Sequence, residues 1–347
     1  MDKPMKAVII KQHGNPDVLE YVENFPEPEL KSNEVLVKIH YTSLNRVDLH
    51  IRRGYPGLNL QFPHVLGADV AGEIVAIGSD VKDFGIGDRV VAYPIILPNS
   101  SNPKFEGMEH LNDGWKYYGM HIRGSYAQFV SVPTENLFKL SDQVNFLEAC
   151  TLPVAGLTAY HAVVTVGDVK EGDVFFFWGG SSGLGAFAIQ LAKMRGATVI
   201  TTVGTNEKKH KVASLGADFV YNRNEDEVVS EVLRMYPNGV DVVLDFVGSE
   251  TFDKSLTLLR KNGKLLVCGM LTSPEVTLNL QRFYIRHLNL SGLYLGSKKE
   301  FKQLVELYNQ GKINPTIDKV FELKQANFAH EYMESNQHVG KIILAIN

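Results

Sequence analysis

Residues Glu171–Gly204 read E-G-D-V-F-F-F-W-G-G-S-S-G-L-G-A-F-A-I-Q-L-A-K-M-R-G-A-T-V-I-T-T-V-G, and this stretch constrains the fold more than any other. Val174–Trp178 is a run of β-branched and aromatic residues, Gly179–Gly185 is rich in glycine, Ala186–Met194 has helical apolar spacing, and Ala197–Val203 is apolar again. Strand, turn, helix and strand in that order predict a parallel β-α-β unit. Glycines at its first turn let bare backbone N–H groups and a helix N-terminus converge on a pyrophosphate.

Set so that its last glycine is Gly185, the dinucleotide fingerprint G-x-G-x-x-G finds Gly180 and Gly185, but Ser182 stands in the middle, where a bare backbone would approach phosphate most closely. Gly179 and Gly183 keep the turn glycine-rich. Gly179, Gly180, Ser181, Ser182, Gly183, Leu184 and Gly185 are therefore the candidate nucleotide-contacting residues, the alternative being an ordinary tight turn.

At 347 residues the chain exceeds what one hydrophobic core usually serves, so two domains are expected. The charge balance is 35 basic against 39 acidic residues, net −4, which recommends neither nucleic acid nor an anionic membrane as partner. The two cysteines, Cys150 and Cys268, lie far apart in apolar surroundings and read as buried inert thiols. The segment Met1–Lys6 has no apolar signal-like run, and no stretch of about 18 apolar residues occurs, so a cytoplasmic location is expected.

Along the chain, Ala7–Ile10, Val35–His40, His64–Ala76, Gly85–Ala92 and Gly124–Val132 read as strands punctuated by glycine, a compact β-rich first domain. Residues 94–123 lose periodicity and form a surface lobe expected to pack on Trp115, Tyr117 and Tyr118. Glu148–Val164 reads as a helix broken near Pro153 and Gly156, where the domain junction falls. Beyond the β-α-β unit, strands and helices alternate to Leu288–Leu295. That alternation predicts a doubly wound parallel sheet with helices on both faces. Helices at Phe301–Gln310 and Gln325–Glu334 and a strand at Lys341–Ile346 follow, and this tail is expected to return to the first domain. The division is 1–155 with 301–347, and 156–300.

With these pieces in order the chain resembles the medium-chain dehydrogenase/reductases, over nearly its whole length: S-L-N-R-V-D at 43–48, L-G-A-D-V-A-G-E-I at 66–74, G-D-R-V at 87–90, the nucleotide turn, D-V-V-L-D-F-V-G at 241–248, G-K-L-L-V-C-G at 263–269 and V-G-K-I-I-L at 339–344. The resemblance implies a GroES-like catalytic domain and a Rossmann dinucleotide domain, an α/β fold. In zinc-dependent members a Cys, a His and a later Cys or Asp hold the catalytic metal. The matching positions here are Asn45, Ala68-Asp69 where those members have a His followed by Glu, and a position at or next to Val154, so the resemblance implies no catalytic zinc site. The lobe holds none of the cysteines that bind structural zinc in relatives, and Glu109, His110, Asp113 and His121 read as solvated side chains.

What remains is similar to the zinc-independent quinone oxidoreductases and enoyl reductases, in which hydride passes from NADPH to a conjugated carbonyl. That resemblance places Asn45, with Asp48 of the same N-x-x-D pattern, at the substrate and nicotinamide end of the site; the alternative for Asn45 is a turn-forming asparagine. Tyr55 matches a tyrosine that donates a proton in enoyl thioester reductases, and its alternative is packing within a Gly-Pro loop. Arg52 and Arg53 are taken as solvated.

The second strand of the unit ends Thr201-Thr202-Val203-Gly204-Thr205-Asn206 without the acid that would take the ribose hydroxyls of NAD. Thr205, Lys208 and Arg223 are the candidate contacts at that end, favouring NADPH over NADH, with Glu207 as the opposing feature. The resemblance sets Val247 and Gly269 against the adenosine and nicotinamide portions. Leu288–Leu295 resembles the edge strand through which relatives pair, so a homodimer or dimer of dimers is expected. The function implied is zinc-independent, NADPH-dependent reduction of a quinone or α,β-unsaturated carbonyl; an alcohol or aldehyde dehydrogenase-like enzyme and a non-catalytic NADP-binding protein stay open as alternatives.

Overall fold

The computed structural model describes residues 3–98 and 102–346. The chain divides into two compact units, Met1–Ala155 with Ser297–Asn347, and Gly156–Gly296.

The first unit is β-rich. Strands β1 (Pro4–Ile10), β2 (Glu20–Pro26), β3 (Glu34–Ser43), β4 (His64–Val65), β5 (Ala71–Ile77) and β6 (Arg89–Ala92) precede the lobe. β1 pairs with both β2 and β4, and β3 is central, pairing antiparallel with β5. Inward-facing Val35, Val37 and Ile39 of β3 are fully buried, the period-2 pattern of a strand with one face on the core. After β3, helix α1 (Arg46–Arg53) begins with Asn45 as its cap. The lobe contains a short pair, β7 (Ile95–Ile96) with β8 (Lys116–Tyr117). Tyr117 and Tyr118 are buried there, as the composition implied, while Trp115 is half-buried and residues 99–101 lie outside the described part. β9 (Phe129–Pro133) adds to β3, and β10 (Leu137–Lys139) adds to β6.

The helical stretch after Asn145 is less regular than its apolar spacing implies. A turn at Phe146–Ala149 is followed by wide π turns at Leu152–Gly156 and His161–Val166, with α geometry only at Leu157–Tyr160. Pro153 has no N–H to give a helix, and the Val154 N–H is taken by Asp69 Oδ1 at 3.1 Å. A tertiary carboxylate has drawn the backbone out of its ladder.

The second unit is a six-stranded parallel sheet: β11 (Val174–Phe177), β12 (Thr198–Val203), β13 (Phe219–Asn222), β14 (Val240–Asp245), β15 (Leu259–Val267) and β16 (Asn289–Gly292), in spatial order 13-12-11-14-15-16. That is the doubly wound order, reversing at β11. All four β11 residues, Val-Phe-Phe-Phe, are buried, as a strand covered on both faces must be. Helices α2 (Gly183–Met194), α3 (Asn206–Ala213), α4 (Val228–Met235), α5 (Phe252–Leu258) and α6 (Leu280–Ile285) connect the strands.

From residue 297 the chain rejoins the first unit through α7 (Lys298–Asn309), β17 (Ile317–Glu322), α8 (Ala326–Glu334) and β18 (Lys341–Ala345). β18 pairs antiparallel with β3, so Lys341 comes to the end of the strand that leads into Asn45. Among the described residues no helix is long and apolar enough to cross a membrane.

Candidate active site

The glycine turn sits at the carboxyl end of β11, where the strand order reverses. Gly179 has φ +83, a conformation that L side chains rarely adopt, and a Cβ on Gly180 would come within 2.6 Å of Thr201. Ser182 explains its departure from the fingerprint: its hydroxyl accepts from the Gly185 N–H at 2.9 Å and caps α2. The Ser182 N–H is used by Gly179 O at 3.0 Å, which leaves the Gly183 and Leu184 N–H groups ahead of the first helical hydrogen bonds. Those two donors and the positive end of a 12-residue helix suit a diphosphate. Ser181 lies in the same turn.

At the end of β12, Arg223 lies flat beside Gly204: a Cβ there would meet its guanidinium at 3.0 Å. Thr205 occupies the position before α3 without a capping side-chain bond to the helix backbone, and Glu207 in the first turn bonds the Thr205 side chain, which holds its carboxyl below the usual range. Glu207 is thus engaged with Thr205, and Glu225 accepts from Asn206 Nδ2 at 2.8 Å. Lys208 stands half-buried in the same first turn.

Asp245 at the end of β14 shapes the next loop. It accepts from the N–H groups of Val247 (2.9 Å) and Gly248 (3.2 Å) and from Thr251 and Ser255, and Ser255 in turn accepts from the Trp178 indole at 2.8 Å. Val247 is therefore held in place from below. Gly269 follows the end of β15 by two residues, and a Cβ there would meet Phe246 Cβ at an ordinary contact distance of 3.7 Å. Its neighbour Cys268 is pushed up to about 12 by burial and by Asp245, and burial raises Cys150 well above its ordinary value, which disfavours both thiolates; Cys150 is buried as expected, whereas Cys268 is only half-buried.

In the first unit, four segments meet at Asn45. Its Oδ1 accepts from Lys341 Nζ at 2.6 Å, and its Nδ2 donates to Asp69 Oδ2 at 2.8 Å. Lys341 also donates to Leu44 O at 2.8 Å and lies 3.4 Å from Asp69 Oδ2. Ser43 donates to the same carboxylate, and Val154 N–H to its other oxygen. Lys341 is 4% exposed and Asp69 not at all. A buried ion pair persists only when its spare lone pairs and protons are bonded, and here every one of these contacts does that. Sequence places Asp69 only beside an absent metal-ligand position and gives Lys341 no role. The available signal was a lysine leading the otherwise apolar strand Ile342–Leu344.

Asp48 closes the cap of α1 by accepting from the Asn45 N–H at 2.8 Å. It is fully buried, and its Oδ1 has no hydrogen-bond partner among the described residues. Burial pushes its carboxyl up to about 7, with the Asp69 charge adding to that and the Asn45 N–H, Lys341 and Tyr126 opposing it. From Asp48 a directional chain runs outward. Tyr126 OH donates to Asp48 Oδ2 at 3.3 Å, His330 Nε2 lies 3.1 Å from that hydroxyl, and Arg52 donates to His330 Nδ1 at 3.1 Å. With Nδ1 accepting, the His330 proton sits on Nε2. Burial and Arg52 lower His330 to about 3, keeping it neutral.

Arg52 corrects an expectation. It is not solvated but fully buried, donating to Gly14 O at 3.1 Å and paired with Glu334 of α8. Arg53 is exposed and pairs with Glu334 at 3.0 Å. Tyr55 stands on the loop after α1, 41% exposed, outside the hydrogen-bonded group around Asn45. In the lobe, Glu109 is half-buried and accepts from the Lys298 N–H at 2.9 Å, while His121 is exposed and accepts from the Tyr117 N–H at 3.2 Å.

The residues aligned with metal ligands do not fit a zinc ion. Asn45 has its oxygen committed to an ammonium, Ala68 carries no donor, Val154 offers only backbone, and Lys341 would oppose a dication beside Asp69. Among the described residues no group of three or more His, Cys, Asp or Glu side chains is arranged to hold a metal.

Residues 31–142 match the family described as "Alcohol dehydrogenase GroES-like domain", and residues 183–310 the family described as "Zinc-binding dehydrogenase". The chain is 31% identical to an NAD-dependent alcohol dehydrogenase of Sulfolobus acidocaldarius, over 99% of this chain and 100% of that one. It is 27% identical to a quinone oxidoreductase of Sus scrofa, over 99% and 98%. A solved structure of an NAD-dependent alcohol dehydrogenase superposes with a TM-score of 0.94 at 32% identity, covering 99% of this chain and 100% of that one. Both units and their order are shared with these proteins, and the chain is an oxidoreductase that belongs to the medium-chain dehydrogenase/reductase superfamily.

Proposed function

We propose that the protein is a zinc-independent reductase in which NADPH, when bound, supplies hydride to the β-carbon of a quinone or an α,β-unsaturated carbonyl compound. The observation that carries this reading is the setting of Asn45, fixed between a buried ammonium and a buried carboxylate where zinc-dependent relatives have a metal ligand. Lys341 at the carboxamide oxygen and Asp69 at its nitrogen polarise the amide in the sense that strengthens its N–H groups as donors. One Nδ2 hydrogen goes to Asp69; the second is the donor we assign to the substrate oxygen. Hydride arriving at the β-carbon sends charge to that oxygen, where a preorganised donor meets it without Lewis-acid help. A proton then reaches the α-carbon or the oxygen from Tyr55 or from water.

For the nucleotide, the Arg223 guanidinium beside Gly204, Lys208 in the first turn of α3, and the lack of an acid at the end of β12 support a 2′-phosphate. The second reading is an NADH-dependent alcohol or aldehyde oxidoreductase, which the names of the relatives favour. The two separate in one experiment: titrate NADPH and NADH, then follow single-turnover oxidation of the tighter-bound nucleotide by a benzoquinone, an enone, an enoyl-CoA and an aldehyde. Tighter NADPH with rapid transfer to a conjugated acceptor supports the proposal. Tighter NADH with transfer only to the aldehyde supports the second reading, and binding without any transfer supports a non-catalytic role.

We further propose a homodimer formed through the second unit. Among the described residues β16 pairs only with β15, and exposed Leu290 and Tyr294 lie on or beside that edge, with Leu280, Tyr284 and Ile285 of α6 exposed nearby in sequence. Unpaired edge groups next to apolar surface favour a second copy of the same edge.

A further inference from the structure

Away from Asn45 and its partners, the first unit carries an open groove of about 1170 Å³ between the end of β2, the loop 58–64 and the segment 114–123. Its walls bring together the rings of Phe25, Phe62 and Trp115 with the cations Lys116 and Arg123. No aspartate or glutamate is among its lining residues, in a chain whose net charge is −4.

The polar groups of this groove are set in defined roles. The Arg123 guanidinium lies 4.8 Å over the Phe25 ring and donates to Pro26 O at 3.2 Å, which holds the cation flat against an aromatic wall. Lys116 is exposed on β8. His121 packs edge-on against Trp115, ring centroids 5.5 Å apart, and its Nδ1 accepts the Tyr117 N–H. The proton of neutral His121 therefore sits on Nε2, a donor not used by that contact. Burial, with Lys116 adding to it, holds His121 below its ordinary value. Burial and Arg123 do the same for His64, whose Nε2 donates to Gly119 O at 3.0 Å.

We propose that this groove is a binding site for a planar aromatic monoanion, its ring system against Trp115 and Phe62 and its carboxylate toward Lys116, Arg123 and His121 Nε2. Rings offer a flat apolar partner matched to rings, and two cations with a neutral donor match one carboxylate. Two isolated cations fall far short of the basic tract a nucleic acid requires. The volume exceeds the roughly 300–1,000 Å³ of common small-molecule sites, so a bicyclic acid fits with the mouth open. The site lies wholly in the first unit and needs no nucleotide, so it stands or falls separately from the reductase reading.

The test uses full-length protein without nucleotide, titrated with 2-naphthoate and with its neutral counterpart 2-naphthylmethanol, while tryptophan emission and the His121 ring resonances are followed. Saturable quenching by naphthoate is expected, at least tenfold tighter than by the alcohol, with a rise in the His121 pKa on binding because the bound anion stabilises the imidazolium. Trp115→Phe should abolish the quench, which leaves buried Trp178 unresponsive, and Lys116→Ala should weaken naphthoate about tenfold while leaving the alcohol unchanged. Equal affinity for the two probes, an unmoved His121 pKa in the wild-type protein, or a quench that survives Trp115→Phe would each overturn the proposal.

Discussion

Lys341 donates to the carboxamide oxygen of Asn45 across 2.6 Å, joining positions 296 residues apart. The ammonium has three donors, and in this site they meet Asn45, the Leu44 carbonyl and Asp69. The Asn45 side chain is thus oriented by a residue on a different strand, and that strand is tied to β3 by the sheet itself.

Lys341→Met leaves the Asp69 charge buried and unpaired and the Asn45 oxygen without a donor. The expected cost is about 3–5 kcal/mol of unfolding free energy, measured by urea denaturation. Adding Asp69→Asn to that variant should recover part of the loss, because neither charge is then left alone. A single variant as stable as wild type would mean that water replaces the ammonium without penalty.

Asn45→Ala removes the donor assigned to the substrate oxygen. A fall of about 10²–10³ in kcat is expected with conjugated acceptors, while the dissociation constant of the nucleotide, measured by fluorescence, stays within about twofold. Unchanged kcat would show that the oxygen charge is met elsewhere.

Asp48 makes a signed prediction for pH. Its carboxyl is raised in the folded protein to about 7 from 3.8, so between those values the folded state binds the proton more tightly. Its contribution is fully present below about pH 4 and is lost as pH rises through about 7, at up to about 1.4 kcal/mol per pH unit. His330, lowered to about 3, acts in the opposite sense: its contribution is present above its unfolded value and lost as pH falls. The two slopes oppose each other in the acid range, so the difference between wild type and Asp48→Asn isolates the carboxyl. Urea midpoints at pH 5, 6, 7 and 8 should show the variant gaining on wild type with rising pH, and parallel curves would refute the assignment.

Arg223→Ala tests the nucleotide preference. NADPH should bind at least about tenfold more weakly, from loss of a charge-assisted contact, with NADH unaffected in the same titration. Equal weakening of both would place Arg223 in the fold of the turn rather than on a 2′-phosphate.

Leu290→Lys puts a charge on the exposed edge of β16 and should yield monomers in light scattering while nucleotide binding persists. A wild-type protein that is already monomeric would remove the proposed dimer.

The second unit was legible because its information is local. The run Val174–Phe177, the glycine turn and the spacing of Ala186–Met194 each specify their own conformation, and parallel order follows from the handedness of the connections. Ser182 looked like a defect only because a fingerprint records phosphate contact and says nothing of caps. The site in the first unit was less legible for the opposite reason. Asn45 carried a signal through its N-x-x-D pattern, but Lys341, Asp69, Tyr126 and His330 act through partners far away in sequence. Arg52 read as solvated because an arginine on an amphipathic helix usually is, and nothing near it in sequence announces Glu334 or His330.

The arrangement of the two units has a consequence for synthesis. Residues 156–296 are contiguous and hold a complete sheet, so that unit can fold as soon as it leaves the ribosome. The first unit cannot: β3 waits for β18, and Asn45 and Asp69 wait for Lys341. Until Lys341 is made, Asp69 is a carboxylate without its cation, in a sheet where β5 and β9 flank β3 and only the Tyr41–Ser43 end of β3 lacks its partner. The nascent chain therefore completes its parallel sheet first and the buried surroundings of Asn45 last.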